Sequence, residues 1–257
     1  MRTPPTKLDH GIPGTWRSCL FETTGSNRTT SGLVFVFLSV LSLSAVSCAQ
    51  GRVLPAASAH TVPGAPEAAA DEVEGVRISA EGNDWNAIPA DLSTHLTPVK
   101  VRIVNHSGVP ARIEYQQFSL VGGHGHVYRA IPIVPLEHQS PVDGVGTIEP
   151  IYAASNFFVA PRYHDIYPRI AAWPRPLERD DAFSNDQYQR WKDGLPTRAM
   201  QRMGLPEGVL ADGGEISGFL YFEDATKRER RLTFRAEIAD ERHGEQLAEI
   251  TIPFRVQ

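Results

Sequence analysis

The segment Leu232–Val256 reads LTFRAEIADERHGEQLAEITIPFRV, and it decides the fold. Leu232, Phe234, Ala236 and Ile238 alternate with Thr233, Arg235 and Glu237. Ala248, Ile250, Ile252, Phe254 and Val256 alternate in the same way with Glu249, Thr251, Pro253 and Arg255. Successive side chains of a strand point to opposite faces, so each run is a strand with one buried face. Asp240–Glu245 (DERHGE) holds the turn chemistry that joins them as an antiparallel hairpin. Pro253 cannot donate to a ladder, which places the last strand at a sheet edge or at a bulge.

Working toward the N-terminus, Glu223–Arg231 (EDATKRERR) is a mixed charge run read as a solvated hairpin tip. Ile216–Phe222 (ISGFLYF) is densely apolar, the pattern of a strand covered on both faces. Val99, Val101 and Ile103 alternate with Lys100 and Arg102, and Asn105-His106-Ser107-Gly108 then supplies a turn. From Ala111 to Val121 the apolar phase slips between Tyr115 and Phe118, which predicts a bulge or two short strands joined by a bend. Gly122-Gly123-His124-Gly125 is a glycine-rich turn, and extended chain resumes from His126 to Ile133.

Between these halves, Pro150–Pro176 mixes Tyr152, Phe157, Phe158, Tyr163, Tyr167 and Trp173 with several prolines, and reads as a long irregular excursion. Ser184 and Gln187 fit a capping box, with Tyr188 and Trp191 on one helical face. Pro196 can open a second short helix that Gly204 closes. Strand-helix-strand alternation is missing, which disfavours a parallel sheet. The expected class is mainly β: an immunoglobulin-like antiparallel β-sandwich with a Pro/aromatic-rich, partly helical insertion over 150–204.

The chain has 257 residues, 41% hydrophobic and 21% charged, enough apolar content for a packed core. Its first fifty residues are of another kind. Leu33–Val46 (LVFVFLSVLSLSAV) carries no charge over fourteen residues. As a helix it spans about 21 Å, short of the roughly 30 Å hydrocarbon core. Arg2, Lys7, Arg17 and Arg28 precede it, and the small residues Ala45, Ser47 and Ala49 follow. That order is a secretory signal, assigned to 1–47. Residues 48–75, rich in Ala, Pro and Gly, read as a flexible tether, and the folded domain as 76–257. Loss of 1–47 removes four of 25 basic and two of 30 acidic side chains, leaving a net charge of −7. That acidic balance gives no general attraction for nucleic acid or anionic lipid, so both are poor default partners.

Ala45-Val46-Ser47-Cys48 resembles the lipobox of bacterial lipoproteins, with Ala45 where leucine is usual. In that family the cysteine is acylated and becomes the first mature residue, so the resemblance implies lipidation at Cys48. Ordinary cleavage after Ala49 is the competing outcome. Together with VKVRIVNHSG (Val99–Gly108) and LPEGVLADGGEISGFLYF (Leu205–Phe222), these residues resemble exported bacterial lipoproteins with an immunoglobulin-like domain. The resemblance implies a membrane anchor and carries no catalytic residue across.

Among the remaining side chains, His124 and His126 can share one face of a strand, but two ligands make a weak site and no metal is expected there. No nucleophile elbow, metalloprotease pair or phosphate-cradling loop is present in the sequence. The sequence therefore points to a non-catalytic envelope lipoprotein without a cofactor, which binds or scaffolds another envelope component. The alternative uses the aromatic insert as a glycan or small-ligand site, with or without hydrolytic activity, and Tyr163, Tyr167, Trp173 and Trp191 as the stacking platform.

Overall fold

The alternating C-terminal segment becomes β11 (Arg231–Asp240) and β12 (Gln246–Val256), paired antiparallel with Leu232 opposite Phe254 and Ala236 opposite Ile250. Their apolar members are buried on one face, each large one contributing about 1.5–3 kcal/mol. The computed structural model describes residues 51–133, 154–177 and 195–257. Within them the protein is mainly β, an antiparallel sheet nearly closed into a barrel.

The other strands are β1 (Val53–Pro55), β2 (Thr61–Val62), β3 (Ala65–Val73), β4 (Val76–Glu81), β5 (Leu96–Asn105) and β6 (Ala111–Ile113). They continue with β7 (Phe118–Gly122), β8 (Val127–Arg129), β9 (Ala154–Val159) and β10 (Gly208–Glu223). Along the sheet the order is β1-β12-β11-β6-β10-β5-β4-β3-β2, with β7 beside β11, β8 beside β7 and β9 beside β10. The hydrophobic run in β10 is buried from Gly218 to Phe222 without alternation, as a strand covered on both faces requires.

The phase slip after Tyr115 has a structural counterpart. A 3₁₀ turn at Tyr115–Gln117 separates β6 from β7, closed by reciprocal hydrogen bonds between Glu114 and Gln117. β6 pairs with β10 through Ile113 and Gly208, and with β11 through Ala111 and Asp240. It is the corner at which the chain leaves β10 for β11. Asn105 holds the approach to this corner: its amide donates to the Val109 and Leu210 carbonyls at 2.8 and 2.9 Å and its oxygen accepts from Ser107.

Pro253 is neither at an edge nor at a bulge, because β12 lies between β11 and β1. Its missing N–H falls on the β1 side, where Ala56 still donates to the Pro253 carbonyl at 3.0 Å and β1 has already ended. The ladder loses one bond at its last rung.

Two further expectations are corrected. Residues 53–73, read as tether, form β1, β2 and β3. Alanine is a poor strand former in isolation, but Ala68, Ala69 and Ala70 are buried here, with Ala69 opposite Ala80 of β4. Strand preference reflects packing context, and these small side chains line the seam where the sheet nearly closes. The excursion at 150–176 contains β9, which runs against β10 with Val159 opposite Gly208. A Cβ on Gly208 would sit 2.1 Å from the Phe158 carbonyl oxygen, so only glycine permits this approach. A helical insert is not evident: the described part of 150–204 holds a 3₁₀ turn at Pro161–Tyr163 and the six-residue α1 (Arg198–Met203), capped by Thr197. The expected capping box at Ser184, with Tyr188 and Trp191, lies outside the described residues, as do the expected signal and Cys48.

Candidate functional site

The first described residue, Gly51, lies at one end of the barrel. A Cβ there would meet Thr226 Cβ at 3.0 Å and Val256 Cγ1 at 2.7 Å, so the incoming chain runs directly against the β10–β11 turn. Strand pairing brings Leu96 beside Glu223, Arg231 beside Arg255 and Gly122 beside Leu232, so the β4–β5 loop, the β10–β11 turn and the β7–β8 turn share this end. Lys227 ties the first two together by donating to the Thr94 carbonyl at 2.6 Å. A cleft of about 250 Å³ opens between them, bordered by Arg52, Asn83, Trp85, Ser93, Thr97 and Thr226. Trp85 closes one wall, its ring edge-on to Phe219 and Tyr221 and its indole N–H bonded to the Pro89 carbonyl. Beside it, burial and the nearby Asp84 raise the Glu81 carboxyl above its usual range, against the pull of Lys100.

The β10–β11 turn sorts its charges by depth. Glu229 is 4% exposed, and Asp224 is turned inward to accept from Thr226 and pair with Lys227. Arg228, Arg230 and Arg231 are exposed. Glu229 fits beneath Gly122, where a Cβ would come within 2.2 Å of its carboxylate oxygen, and lies 3.3 Å from the His124 ring and 3.5 Å from the Tyr128 hydroxyl. Burial, followed by the Glu229 charge, raises the Tyr128 phenol above its usual value, while Arg228 opposes the shift. Arg231 flanks Gly123 in the exposed turn that carries His124 and His126. The sequence shows nearly balanced charge here. Only the fold reveals that the acids face inward and the bases outward.

The aromatic platform is not available as expected. Tyr163 and Tyr167 are each 1% exposed, so neither ring can stack on a ligand. Their hydroxyls donate to Glu207 at 3.1 Å and to the Gln201 carbonyl at 2.7 Å. Burial raises the Tyr167 phenol far above its ordinary range. Glu207, itself buried, also accepts from the Tyr115 N–H at 2.9 Å and pairs with Arg162. Trp173 is half-buried and packs against Phe158, donates its indole N–H to Glu241 at 3.0 Å and lies under Arg175. Trp191 lies outside the described residues. These rings fasten the insert to the sheet, at positions that composition alone does not distinguish from a binding surface.

Among the described residues no group of three or more His, Cys, Asp or Glu is placed to hold a metal ion, and no helix is long and apolar enough to cross a membrane. Comparison with protein families, curated proteins and solved structures gives no match for this chain.

Proposed function

We propose that this chain is a non-catalytic lipoprotein of the cell envelope, anchored through Cys48, whose β body binds or scaffolds another envelope component. One observation carries the reading. The signal expected from the sequence ends at Ser47 and the first described strand starts at Val53, so the expected processing site lies a few residues ahead of the described fold. A single acyl chain binds membranes marginally, whereas the three chains of a mature lipoprotein cysteine anchor stably.

The non-catalytic part draws support from the buried carboxylates. Glu207 and Glu241 are each engaged by two or more donors from neighbouring segments, the arrangement of structural fasteners. The immunoglobulin-like classification belongs to the same proposal. Its support is the corner at β6, since sandwiches use such strand-switching bends to fold one part of a sheet toward another.

Cys48→Ala tests the anchor. The unaltered protein is expected to fractionate with membranes, with its precursor accumulating under globomycin, while the variant leaves the membrane fraction or stays unprocessed. Unchanged maturation and unchanged partition in the variant overturn the reading.

A further inference from the structure

We infer that the outward face of the β7–β8 and β10–β11 turns rests on anionic phospholipid headgroups. The inference builds on the anchored reading and adds the surface that meets the membrane. Its starting point is the missing tether. Because β1 to β3 occupy the stretch expected to give reach, only Ala49 and Gln50 separate Cys48 from Gly51. Fully extended, that connection spans about 10 Å. The headgroup layer of one leaflet is roughly 5–8 Å deep, and the Debye length at physiological salt is about 8 Å. The Gly51 end of the barrel is therefore held within electrostatic reach of the lipid surface.

What that end presents is cationic. Arg228, Arg230 and Arg231 are exposed, Glu229 is buried, Asp224 is engaged by Thr226 and Lys227, and Glu223 is half-buried where β10 enters the turn. The nearest exposed acid on the neighbouring loop, Asp91, faces His95 at 3.9 Å. A cationic end contrasts with the net −7 of the processed chain. Ile88 and Val127, 80% and 50% exposed, are the large apolar side chains left in solvent among the described residues; Val127 opens β8 next to the β7–β8 turn, and Ile88 lies in the β4–β5 loop. Arginines flanked by isolated apolar side chains suit a headgroup layer, where charge meets phosphate and small apolar groups reach the acyl boundary. A protein partner of acidic surface would use the charges alone, without the geometric constraint that Cys48 imposes.

The test uses the mature protein purified from membranes and placed in phosphatidylcholine nanodiscs with or without phosphatidylglycerol, read by amide hydrogen exchange. Exchange over 122–129 and 226–231 is expected to slow when phosphatidylglycerol is present, with the 240–245 turn unchanged. Each arginine replaced in Arg228→Gln, Arg230→Gln and Arg231→Gln is expected to weaken the protection roughly fivefold, and high salt to abolish it in the unaltered protein. Equal exchange in both disc types, or protection indifferent to salt, overturns the inference even if the triple variant does not fold. An unacylated Cys48, read from the mass of the same preparation, removes the anchor and this surface together. An acylated Cys48 with equal exchange removes the surface alone.

Discussion

The two turns that bound β11 look alike in sequence and behave differently in the fold. Both EDATKRERR and DERHGE mix acids with bases, and both bury a glutamate, Glu229 in one and Glu241 in the other. Glu241 is closed over by the insert, accepting from Trp173 at 3.0 Å and pairing with Arg175 at 2.5 Å. Glu229 faces an exposed His124 ring and the Tyr128 hydroxyl, and among the described residues the arginines beside it are exposed. One end of the strand is sealed by the protein itself, and the other is left as a cationic rim next to the incoming chain. The difference lies in what arrives from distant sequence, and turn composition does not encode that.

The sharpest way to break this contrast is to release the insert from beneath. Glu207→Ala leaves Arg162, the Tyr163 hydroxyl and the Tyr115 N–H without their shared partner. Removing one member of a buried pair costs about 3–5 kcal/mol, so urea denaturation is expected to show a loss of that size. A loss under about 1 kcal/mol would mean that the insert is not fastened there.

At the open end the expected effect is smaller. Gly122→Ala drives a Cβ into the seat of Glu229 and is expected to destabilise by about 1–3 kcal/mol, with the His124 ring resonances shifting as the carboxylate moves. Unchanged stability together with unchanged His124 resonances would contradict the seating of Glu229 beneath Gly122.

The smallest effect belongs to Asp240, at the sealed end. The Arg242 backbone N–H, aided by His243, holds its carboxyl below the ordinary 3.8. A depressed value means that the ionised form favours the fold. That contribution is complete above the ordinary value and disappears as pH falls through the depressed one. NMR titration should place the Asp240 midpoint under 3.8 and move it upward in His243→Ala. A midpoint at the ordinary value in the unaltered protein would remove the turn's internal bracing.

Much of the sheet is legible from periodicity alone. β11, β12 and the part of β5 from Val99 onward follow alternation, and the phase slip at Tyr115 marks the break between β6 and β7. β3 is hidden because its buried residues are three consecutive small alanines, which show no alternation and resemble a linker until the pairing with β4 is known. β9 is hidden because its first three residues, Ala154, Ser155 and Asn156, are exposed, which leaves only Phe157 and Val159 as a buried alternating pair. At the candidate site the residues were nameable and their orientation was not. Tyr163 and Tyr167 point inward because Glu207 and the Gln201 carbonyl receive their hydroxyls, and those acceptors are more than thirty residues away. The outward arginines were likewise masked by neighbouring acids that the fold turns inside.

The most direct measurement is the intact mass, with N-terminal sequencing, of the mature chain extracted from membranes. A first residue of Cys48 carrying a diacylglyceryl group and an amide-linked acyl chain is the expected result, and it places the β body against the lipid surface. A chain that begins at Gln50, or one that retains the hydrophobic segment with Cys48 unmodified, contradicts the account.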